Sequence, residues 1–342
     1  MSQLVKYLSK DFELTLIDPN GTFQNIDEIP NKSQKSFARD ILSAAVNFIR
    51  SFFMRKQHNQ ILILEDLYIT LLLFPLLLVR RVTYIYHASD YGDKYRHSFL
   101  KYFSGLALPL LPLLKFGEKL IIKFSSLIIV PSEEMKEEMI KHLIDAKKIA
   151  VLPYLPTKRI VTHQEKRVMN EDSIIKVLFL GNMTYPPNTD SFNFIKSIAS
   201  IILKEHKDIN LVFLIVGRIP LTLKHFETEN LKILGEIKNL DEIFEQCSIG
   251  INPSITPGGT SIKVIDYLIN GLLVLSTPQG CNGVIKNENL IVRERSEFVE
   301  EILNLTKKIR LHQPSVELPQ VLQDYYLSTD WYKNLKEKID EI

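Results

Sequence analysis

The chain has 342 residues, of which 45% are hydrophobic and 24% charged, and its formal net charge is +2. This length suits two folded domains better than one, and the composition provides enough apolar residues for a core in each half. The small net charge excludes a protein-wide positive field that would attract nucleic acid, so no nucleic-acid partner is expected.

Cysteine usage and the apolar runs narrow the class further. Cys247 and Cys281 stand far apart and neither has a CxxC partner, so neither a disulfide scaffold nor a metal site is expected and a reducing compartment fits. The chain begins without a signal-peptide pattern. Its longest apolar runs, 69–79 and 106–114, are too short or too interrupted to span a bilayer. We therefore expect a cytoplasmic protein, with the cytoplasmic face of the membrane as a possible peripheral site.

In the first half, short apolar or alternating segments, which favour strands, are separated by longer helical patterns. Ser132 precedes two acidic residues and is expected to cap the helix that follows it. Strands are predicted at 13–18, 60–65, 82–87, 127–131 and 149–154, and helices at 33–55, 67–79, 94–124 and 133–143.

The same alternation restarts after a polar, aperiodic segment at 156–173, which we interpret as an interdomain linker. Residues 313–342 contain a connector with Pro314 and Pro319 and then an amphipathic helix from Trp331 to Ile342, which could cross back to the first domain. In between, strands are predicted at 176–180, 210–216, 231–234, 249–253 and 272–276, and helices at 189–205, 239–247, 261–269 and 296–306.

Strands joined by helices predict parallel sheets. The expected fold class is therefore α/β, with two doubly wound Rossmann-like domains, 1–155 and 174–312, facing a cleft. Ligands of such sheets bind beyond the carboxyl ends of the strands.

The most informative segment, 249–276, reads as strand, glycine-rich loop, helix, glycine and strand. Gly258 and Gly259 permit a tight turn with close backbone approach. Thr260 and Ser261 would open the helix with free N–H groups, which form a seat for a diphosphate. Asp266 lies about 7–8 Å further along the helix axis, an offset that suits a carboxylate reaching ribose hydroxyls.

Lys263 and Asp266 are three residues apart and share a helix face. Gly271 would end the helix in a left-handed conformation. A plain strand–helix turn carrying an Asp–Lys surface pair is the alternative interpretation of the same residues.

This segment resembles the nucleotide-sugar motif of the GT4-type glycosyltransferases, the glycosyl transferases group 1, which have the two-domain GT-B fold. The resemblance implies that Asp266 holds the donor ribose. Lys263 is then the candidate charge partner of the diphosphate, with Thr260 and Ser261 as backbone donors. Gly258 stands where the family often has a second Glu, which puts a contact to the transferred sugar in doubt. The matching residues are Gly258, Gly259, Lys263, Asp266 and Gly271.

Four further stretches of the second half resemble the family in the same order. In 177–190, Gly181 and Asn182 would approach the diphosphate. The second stretch, 211–220, ends a strand at Gly217, and Arg218 is a further candidate donor-binding residue. Residues 234–244 resemble the strand and helix around the base pocket, and 280–284 resembles the family's glycine loop.

The first half resembles the family more weakly. The stretch 84–90 resembles a strand that ends in a cleft-facing residue, so His87 and Asp90 are the candidate catalytic residues, and His87 has a side chain suited to proton transfer near neutral pH. A histidine that merely caps the strand end is the alternative. We find no counterpart of the family's first strand and its Gly-Gly loop, because 2–18 resembles the first helix and second strand.

The resemblance implies a glycosyltransferase that moves a sugar from a nucleotide sugar to a glycan or lipid-linked acceptor, with retention and without a metal or other cofactor. No DxD occurs in the chain, which agrees with metal independence. The basic and aromatic region 94–123, with Tyr95, Phe99, Tyr102 and Phe103, favours contact with the inner membrane surface.

Other classes remain as alternatives. A catalytically silent GT-B partner subunit is favoured by the missing first strand and by Gly258. An epimerase of GT-B shape would need paired acids and a His, and no convincing set is found. A nicotinamide dehydrogenase is improbable because no GxGxxG follows a strand.

Overall fold

The computed structural model describes residues 8, 16–18, 21–23, 46, 61–64, 67–89, 91, 111–154, 173–256, 259–312, 319–326 and 328–342. The chain divides into two compact units, and among the described residues the first unit gives way to the second between Pro153 and Tyr154. Described residues up to 91, 111–153 and Thr329–Ile342 form the first unit, and Tyr154–Ser328 belongs to the second. Apart from residue 46, the predicted helix at 33–55 lies outside the described residues, as do most of the linker and residues 94–110.

The first unit contains a parallel sheet of order β3-β4-β5-β6 and a separate antiparallel hairpin of β1 and β2. The hairpin was not foreseen, since only its first strand was predicted. The elements are β1 (Leu16–Asp18), β2 (Gly21–Phe23), β3 (Leu62–Leu64), α1 (Leu67–Val79), β4 (Tyr84–His87), α2 (Leu111–Phe124), β5 (Leu127–Val130), α3 (Glu133–Lys141), β6 (Ile149–Val151) and, from the chain end, α9 (Asp330–Asp340).

Helices α1 and α2 pack side by side on this sheet. The rings of Phe74 and Phe124 lie 6.1 Å apart between centroids, and a Cβ on Gly117 would collide with Leu71. One face of each helix enters the core, where Leu77 and Ile121 are buried. The two opposite faces are therefore left on the outside of the unit.

Helices α3 and α9 complete the first unit. The predicted cap is confirmed, because the Ser132 hydroxyl accepts a hydrogen bond from the Met135 amide at 3.2 Å. Helix α9 buries Leu335 and Ile339 in this unit. Lys338 Nζ also donates to the carbonyl oxygen of Lys147 at 2.8 Å.

The second unit contains a six-stranded parallel sheet of order β12-β11-β10-β7-β8-β9. Strands β10 and β11 are buried throughout, as expected for a parallel sheet covered by helices on both faces. The elements are β7 (Ile175–Leu180), α4 (Pro186–Glu205), β8 (Leu211–Val216), β9 (Leu231–Gly235), α5 (Asp241–Gln246), β10 (Ile249–Asn252), α6 (Ile262–Ile269), β11 (Leu273–Ser276), β12 (Leu290–Val292), α7 (Phe298–His312) and α8 (Gln320–Tyr326).

Two features of this unit were not foreseen. Strand β12 adds a sixth strand at the sheet edge. Helix α8 forms in the segment interpreted as a connector, and its Leu322 and Tyr326 are buried in the second unit's core. The second unit therefore runs on to Ser328, whereas the predicted domain ends at 312. The α/β class with parallel sheets and interleaved helices is confirmed.

Candidate functional site

The predicted donor site lies at the topological switch point of the second sheet. From β7 the chain proceeds through β8 to β9 on one side, and β10 then returns to the other side of β7. The loops after β7 and β10 therefore diverge, and such a point is where doubly wound sheets bind ligands. Among the predicted site residues, Gly181 and Asn182 follow β7, whereas Gly259, Thr260 and Ser261 follow β10.

Two glycines bring the ends of β7 and β8 close together. Gly217 has a φ of +131°, and a Cβ there would collide with the carbonyl oxygen of Gly181. The Gly217 amide donates to the carbonyl oxygen of Gly235 at 2.8 Å, and the Gly181 amide to that of Val216 at 3.0 Å. Only glycine fits at 217, because a side chain is excluded by both conformation and space.

The loop after β7 is ordered by its own asparagines. Asn182 Oδ1 accepts hydrogen bonds from the Thr184 amide at 3.0 Å and the Thr184 hydroxyl at 2.8 Å. Asn188 Nδ2 donates to the carbonyl oxygen of Asn182 at 3.0 Å. Gly181 leaves room for this, since a Cβ there would lie 3.0 Å from Asn188 Cγ. The amide oxygen of Asn188 is left to face another group.

That group is Lys263, in the first turn of α6. Its Nζ donates to Asn188 Oδ1 at 2.8 Å and lies 4.6 Å from the ring centroid of Phe179. Burial lowers the pKa of the Lys263 ammonium to about 8. Within the described part of the chain no carboxylate forms an ion pair with it. A neutral amide and an aromatic face thus hold a partly buried positive charge.

Asp266 lies one turn further along α6 and has a different partner. The Tyr154 hydroxyl donates to its carboxylate, and burial raises the pKa of Asp266 to about 6 while this hydrogen bond lowers it. The pKa of Tyr154 is raised to about 12, first by burial and then by the charge of Asp266. Lys263 and Asp266 share a helix but form no ion pair with each other, so the Asp–Lys pair of the alternative interpretation is not observed.

The start of α6 differs from the prediction at one amide. Ser261 was expected to offer a free N–H, but this group donates to the carbonyl oxygen of Asn282 at 3.0 Å. The reason is the loop around Gly283, whose φ is +67° and whose missing Cβ leaves room for the Thr260 side chain. In the hydrogen bonds of the described residues, the Lys263 amide has no acceptor. Gly258 lies outside the described residues.

The predicted end of α6 is observed. Gly271 has a φ of +74°, its amide donates to the Leu268 carbonyl oxygen at 3.0 Å, and that of Leu272 donates to the Tyr267 carbonyl oxygen at 3.0 Å. These are the two hydrogen bonds of a Schellman motif.

Asn252, at the end of β10, was missed by the sequence analysis. It is only 3% exposed. Its Nδ2 donates to the Gly280 carbonyl oxygen at 2.6 Å and to the Ser261 hydroxyl at 3.2 Å. Asn252 therefore ties the start of α6 to the loop after β11. The sequence feature that could have indicated Asn252 is a polar residue at the carboxyl end of an otherwise apolar strand.

Two arginines lie near the strand ends. The predicted Arg218 pairs with Glu236 at 3.0 Å on the surface, where both side chains are more than half exposed. Arg295 was missed: it pairs with Asp190 of α4 at 2.5 Å, and its Nε donates to the Pro253 carbonyl oxygen at 2.7 Å. Arg295 therefore links the loop after β10 to α4.

The two predicted catalytic residues belong to the other half of the chain. His87 ends β4 in the first unit and is partly buried. Asp90 lies outside the described residues. Within the described residues, no cluster of three or more metal-liganding side chains occurs. A search of the same residues finds no helix with the length and apolar content to cross a membrane.

Comparison with known sequences points to one family. Residues 175–308 match the glycosyl transferases group 1. A protein of Klebsiella pneumoniae, described as an uncharacterized 44.6 kDa protein in the cps region, is 25% identical over 170 residues, which cover 46% of this chain and 43% of that protein. The aligned part of this chain therefore spans less than half of that curated relative.

Solved structures share the fold over most of the chain. Alr3699/HepE of Anabaena, in complex with UDP and glucose, has a TM-score of 0.60 at 11% identity, covering 91% of this chain and 85% of that one. Sucrose-phosphate synthase of Thermosynechococcus elongatus has a TM-score of 0.60 at 12% identity, with coverages of 97% and 86%. A glycosyltransferase of Rickettsia africae has a TM-score of 0.58 at 15% identity, with coverages of 99% and 88%.

At these identities the structural likeness shows the two-domain α/β fold alone. The family match covers β7 to α7 and so includes the switch-point loops, Lys263 and Asp266. Residues 175–308 are thus the part of the chain that is similar to the glycosyl transferases group 1.

Proposed function

We propose that this protein transfers a sugar from a nucleotide-sugar donor, held by the second unit, to a glycan or lipid-linked acceptor. Lys263 would contact the donor diphosphate and Asp266 the ribose, while Asn182 and Gly259 would line the approach. The transfer would retain the anomeric configuration, as the resemblance to the GT4-type enzymes implies. It would need neither a metal nor another cofactor.

The observation that carries this proposal is the environment of the Lys263 ammonium. Lys263 belongs to the first turn of α6, and its ammonium group contacts Asn188, which belongs to the first turn of α4. Helix N-termini favour negative charge, and a partly buried cation without a carboxylate partner is costly unless an anion compensates it. A diphosphate supplies that charge at the switch point of the sheet.

The chemistry follows from the same arrangement. When the sugar–phosphate bond breaks, negative charge develops on the leaving diphosphate. The Lys263 ammonium, its amide and the α4 and α6 dipoles would stabilise this charge without a metal. On the acceptor side, His87 is our candidate for a hydrogen bond or proton transfer, because an imidazole ring can both donate and accept a proton.

The nucleotide is tested by binding. UDP, GDP, dTDP and their sugars are screened by thermal shift and then titrated calorimetrically into wild type, Lys263→Met and Asp266→Ala. UDP comes first because Alr3699/HepE is seen with UDP and glucose. We expect one nucleotide class to bind wild type and each variant to bind about 10- to 100-fold more weakly, the effect of losing a hydrogen bond to a charged group.

Lys232→Met is the matched control, because Lys232 is exposed on β9. Its affinity should equal that of wild type. Wild-type affinity in both Lys263→Met and Asp266→Ala would remove these residues from the donor site. Tight donor binding without sugar release to any acceptor of a glycan and lipid panel would instead favour the silent partner subunit.

A lipid-linked acceptor is supported by the outer faces of α1 and α2. Leu72 and Val79 on α1 are 52% and 81% exposed, and Leu113 and Phe116 on α2 are 66% and 59% exposed. The two helices are packed together, so these apolar faces adjoin. Exposed apolar surface of this kind marks an interaction site more often than ordinary solvent surface.

The charges around these faces favour an anionic membrane. Lys119 and Lys123 lie on the exposed side of α2, and Arg80 and Arg81 follow α1. Glu118 is the one acidic residue in the two helices and is 2% exposed. The aromatic residues of 94–110 that first suggested a membrane contact lie outside the described residues. We propose that the protein works at the cytoplasmic membrane face.

Vesicle sedimentation at low salt tests this contact. Wild type should bind vesicles with about one-third anionic lipid and not neutral ones, since each lysine near an anionic surface contributes about 1 kcal/mol. Lys119→Glu/Lys123→Glu should lose most of the binding, whereas Lys204→Glu, on the exposed end of α4 in the second unit, should keep it. Equal binding to neutral and anionic vesicles, or none to either, would contradict the proposal.

A further inference from the structure

The hydroxyl of Tyr154 reaches the Asp266 carboxylate from outside helix α6. Tyr154 follows β6 in the sequence and is the first described residue of the second unit. It packs partly buried against the core formed by α5, α6 and α8, and its hydroxyl donates to Asp266. Nothing in the motif around Asp266 points to this partner, because Tyr154 lies outside the matched segment 175–308.

We propose that Tyr154 is a positioning residue for the donor nucleoside, whose hydroxyl orients the Asp266 carboxylate toward the ribose. The inference rests on the proposed role of Asp266 and adds the group that makes that role effective. A carboxylate has about four lone-pair sites on its two oxygens, so one phenol occupies one of them and leaves acceptors for a ribose diol. A packed tyrosine has few rotamers, which fixes the hydrogen-bond direction.

Tyr154 also bears on the charge of Asp266. Burial raises the pKa of this carboxyl to about 6, and the Tyr154 hydrogen bond is the influence that opposes the rise. Among the described residues no basic side chain forms an ion pair with Asp266. Without the phenol, the pKa would move closer to neutrality and a larger fraction of Asp266 would be protonated at pH 7.

The other titratable groups near Asp266 do not replace Tyr154. Tyr267, on the same helix, uses its hydroxyl to accept the Leu180 amide at 2.6 Å. The electrostatic effect of Cys247 is on the pKa of Tyr267, not on that of Asp266. Lys263 is directed to Asn188 on another element.

The test is the pH dependence of UDP affinity in wild type and Tyr154→Phe, measured calorimetrically between about pH 6 and pH 8.5. If the carboxyl pKa rises by about one unit in the variant, the ionised fraction at pH 6.5 falls about threefold. Tyr154→Phe should therefore bind UDP at least about threefold more weakly than wild type near pH 6.5, and this deficit should shrink as the pH rises toward 8.5. Lys263 titrates in both proteins and cancels in the ratio.

Two controls separate positioning from general damage. Tyr326→Phe makes the same change in the same core, at a phenol whose interacting neighbours are the Ile285 backbone and Tyr325 rather than Asp266, and should leave the affinity ratio near one at every pH. In an Asp266→Asn background no carboxyl titrates at this position, so adding Tyr154→Phe should bring no pH-dependent loss.

Three outcomes would count against the idea, and they are distinguishable. A deficit in Tyr154→Phe that is the same at every pH would reduce Tyr154 to a structural role. Tighter binding by Tyr154→Phe would show that the phenol competes with the ribose. Unchanged UDP affinity in Asp266→Ala would instead overturn the donor site itself.

Discussion

The positive charge of Lys263 is unfavourable in the free protein, where it is buried, and favourable when a nucleotide diphosphate is bound. Burial lowers its pKa to about 8, so the ammonium loses its proton more readily than an exposed lysine. A diphosphate would favour the charged form and raise the pKa again. Nucleotide binding and protonation of this residue are therefore linked.

This linkage predicts how affinity depends on pH. Below about pH 8 the lysine is already charged in the free protein, so UDP affinity should change little on its account. Above pH 8 binding must take up a proton, and affinity should fall by up to about tenfold per pH unit. Titrations in two buffers of different ionisation enthalpy measure the proton uptake.

Lys263→Met provides the comparison for this prediction. It should bind more weakly but lose the decline above pH 8, because no titrating ammonium remains at the site. A wild-type affinity that stays constant up to about pH 10, close to the ordinary lysine pKa, would mean that the diphosphate does not contact this side chain.

At the scale of elements, the donor site depends on how the chain leaves its strands. Gly217 and Gly235 follow or end adjacent strands and both have positive φ, +131° and +81°. They differ in their surroundings: a Cβ on Gly217 would meet the Gly181 backbone, whereas a Cβ on Gly235 would have nothing within 4 Å. An alanine at 235 would therefore carry only the conformational strain of a positive φ, whereas an alanine at 217 would carry that strain and a steric collision as well.

Thermal unfolding of the two alanine variants tests this difference. Gly235→Ala should lower the free energy of unfolding by about 1 kcal/mol, because an L-residue is strained in a left-handed backbone conformation. Gly217→Ala should lower the free energy of unfolding by more than this, because the carbonyl group of Gly181 must move. It should also weaken UDP binding, because Asn188 packs against Gly181. Equal losses in both variants would contradict the close approach at Gly217.

Periodicity and turn chemistry predicted the elements well where the pattern was long. Helix α1 has the predicted bounds, 67–79, because its apolar run lies between two acidic residues, 65–66, and two arginines, 80–81. Strand β12, with three half-buried residues, gave no such signal. The β1–β2 hairpin was missed because only one of its strands alternates clearly.

The site shows the same division between local and distant information. Lys263, Asp266 and Gly271 were predictable because glycine spacing and helix geometry act within one segment. Their partners were not, since Asn188 lies 75 residues from Lys263 and contacts it only through the fold. The Ser261 amide was misjudged for this reason, because its acceptor, Asn282, comes from the loop after the next strand.

At the scale of the whole molecule, the first unit is built from separated parts of the chain. Helix α9 contributes the buried Leu335 and Ile339 after the chain has passed through the entire second unit. The first unit should therefore lose stability when the far end of the chain is weakened, although the sequence distance is large.

Leu335→Ala is the variant that tests this dependence. A buried Leu→Ala change costs about 2–5 kcal/mol, so hydrogen exchange in β5 and β6 should accelerate while exchange in β7 and β8 stays unchanged. Lys333→Ala, on the exposed side of the same helix, is the control. Equal acceleration in both sheets would contradict the assignment of α9 to the first unit.

Because residues 329–342 belong to the first unit, the order of synthesis differs from the order of assembly. On the ribosome, the described strands and helices of the second unit have all been made once Ser328 has emerged. The earlier-made β3–β6 sheet must wait for the last helix, with its apolar surface open to chaperones in the meantime.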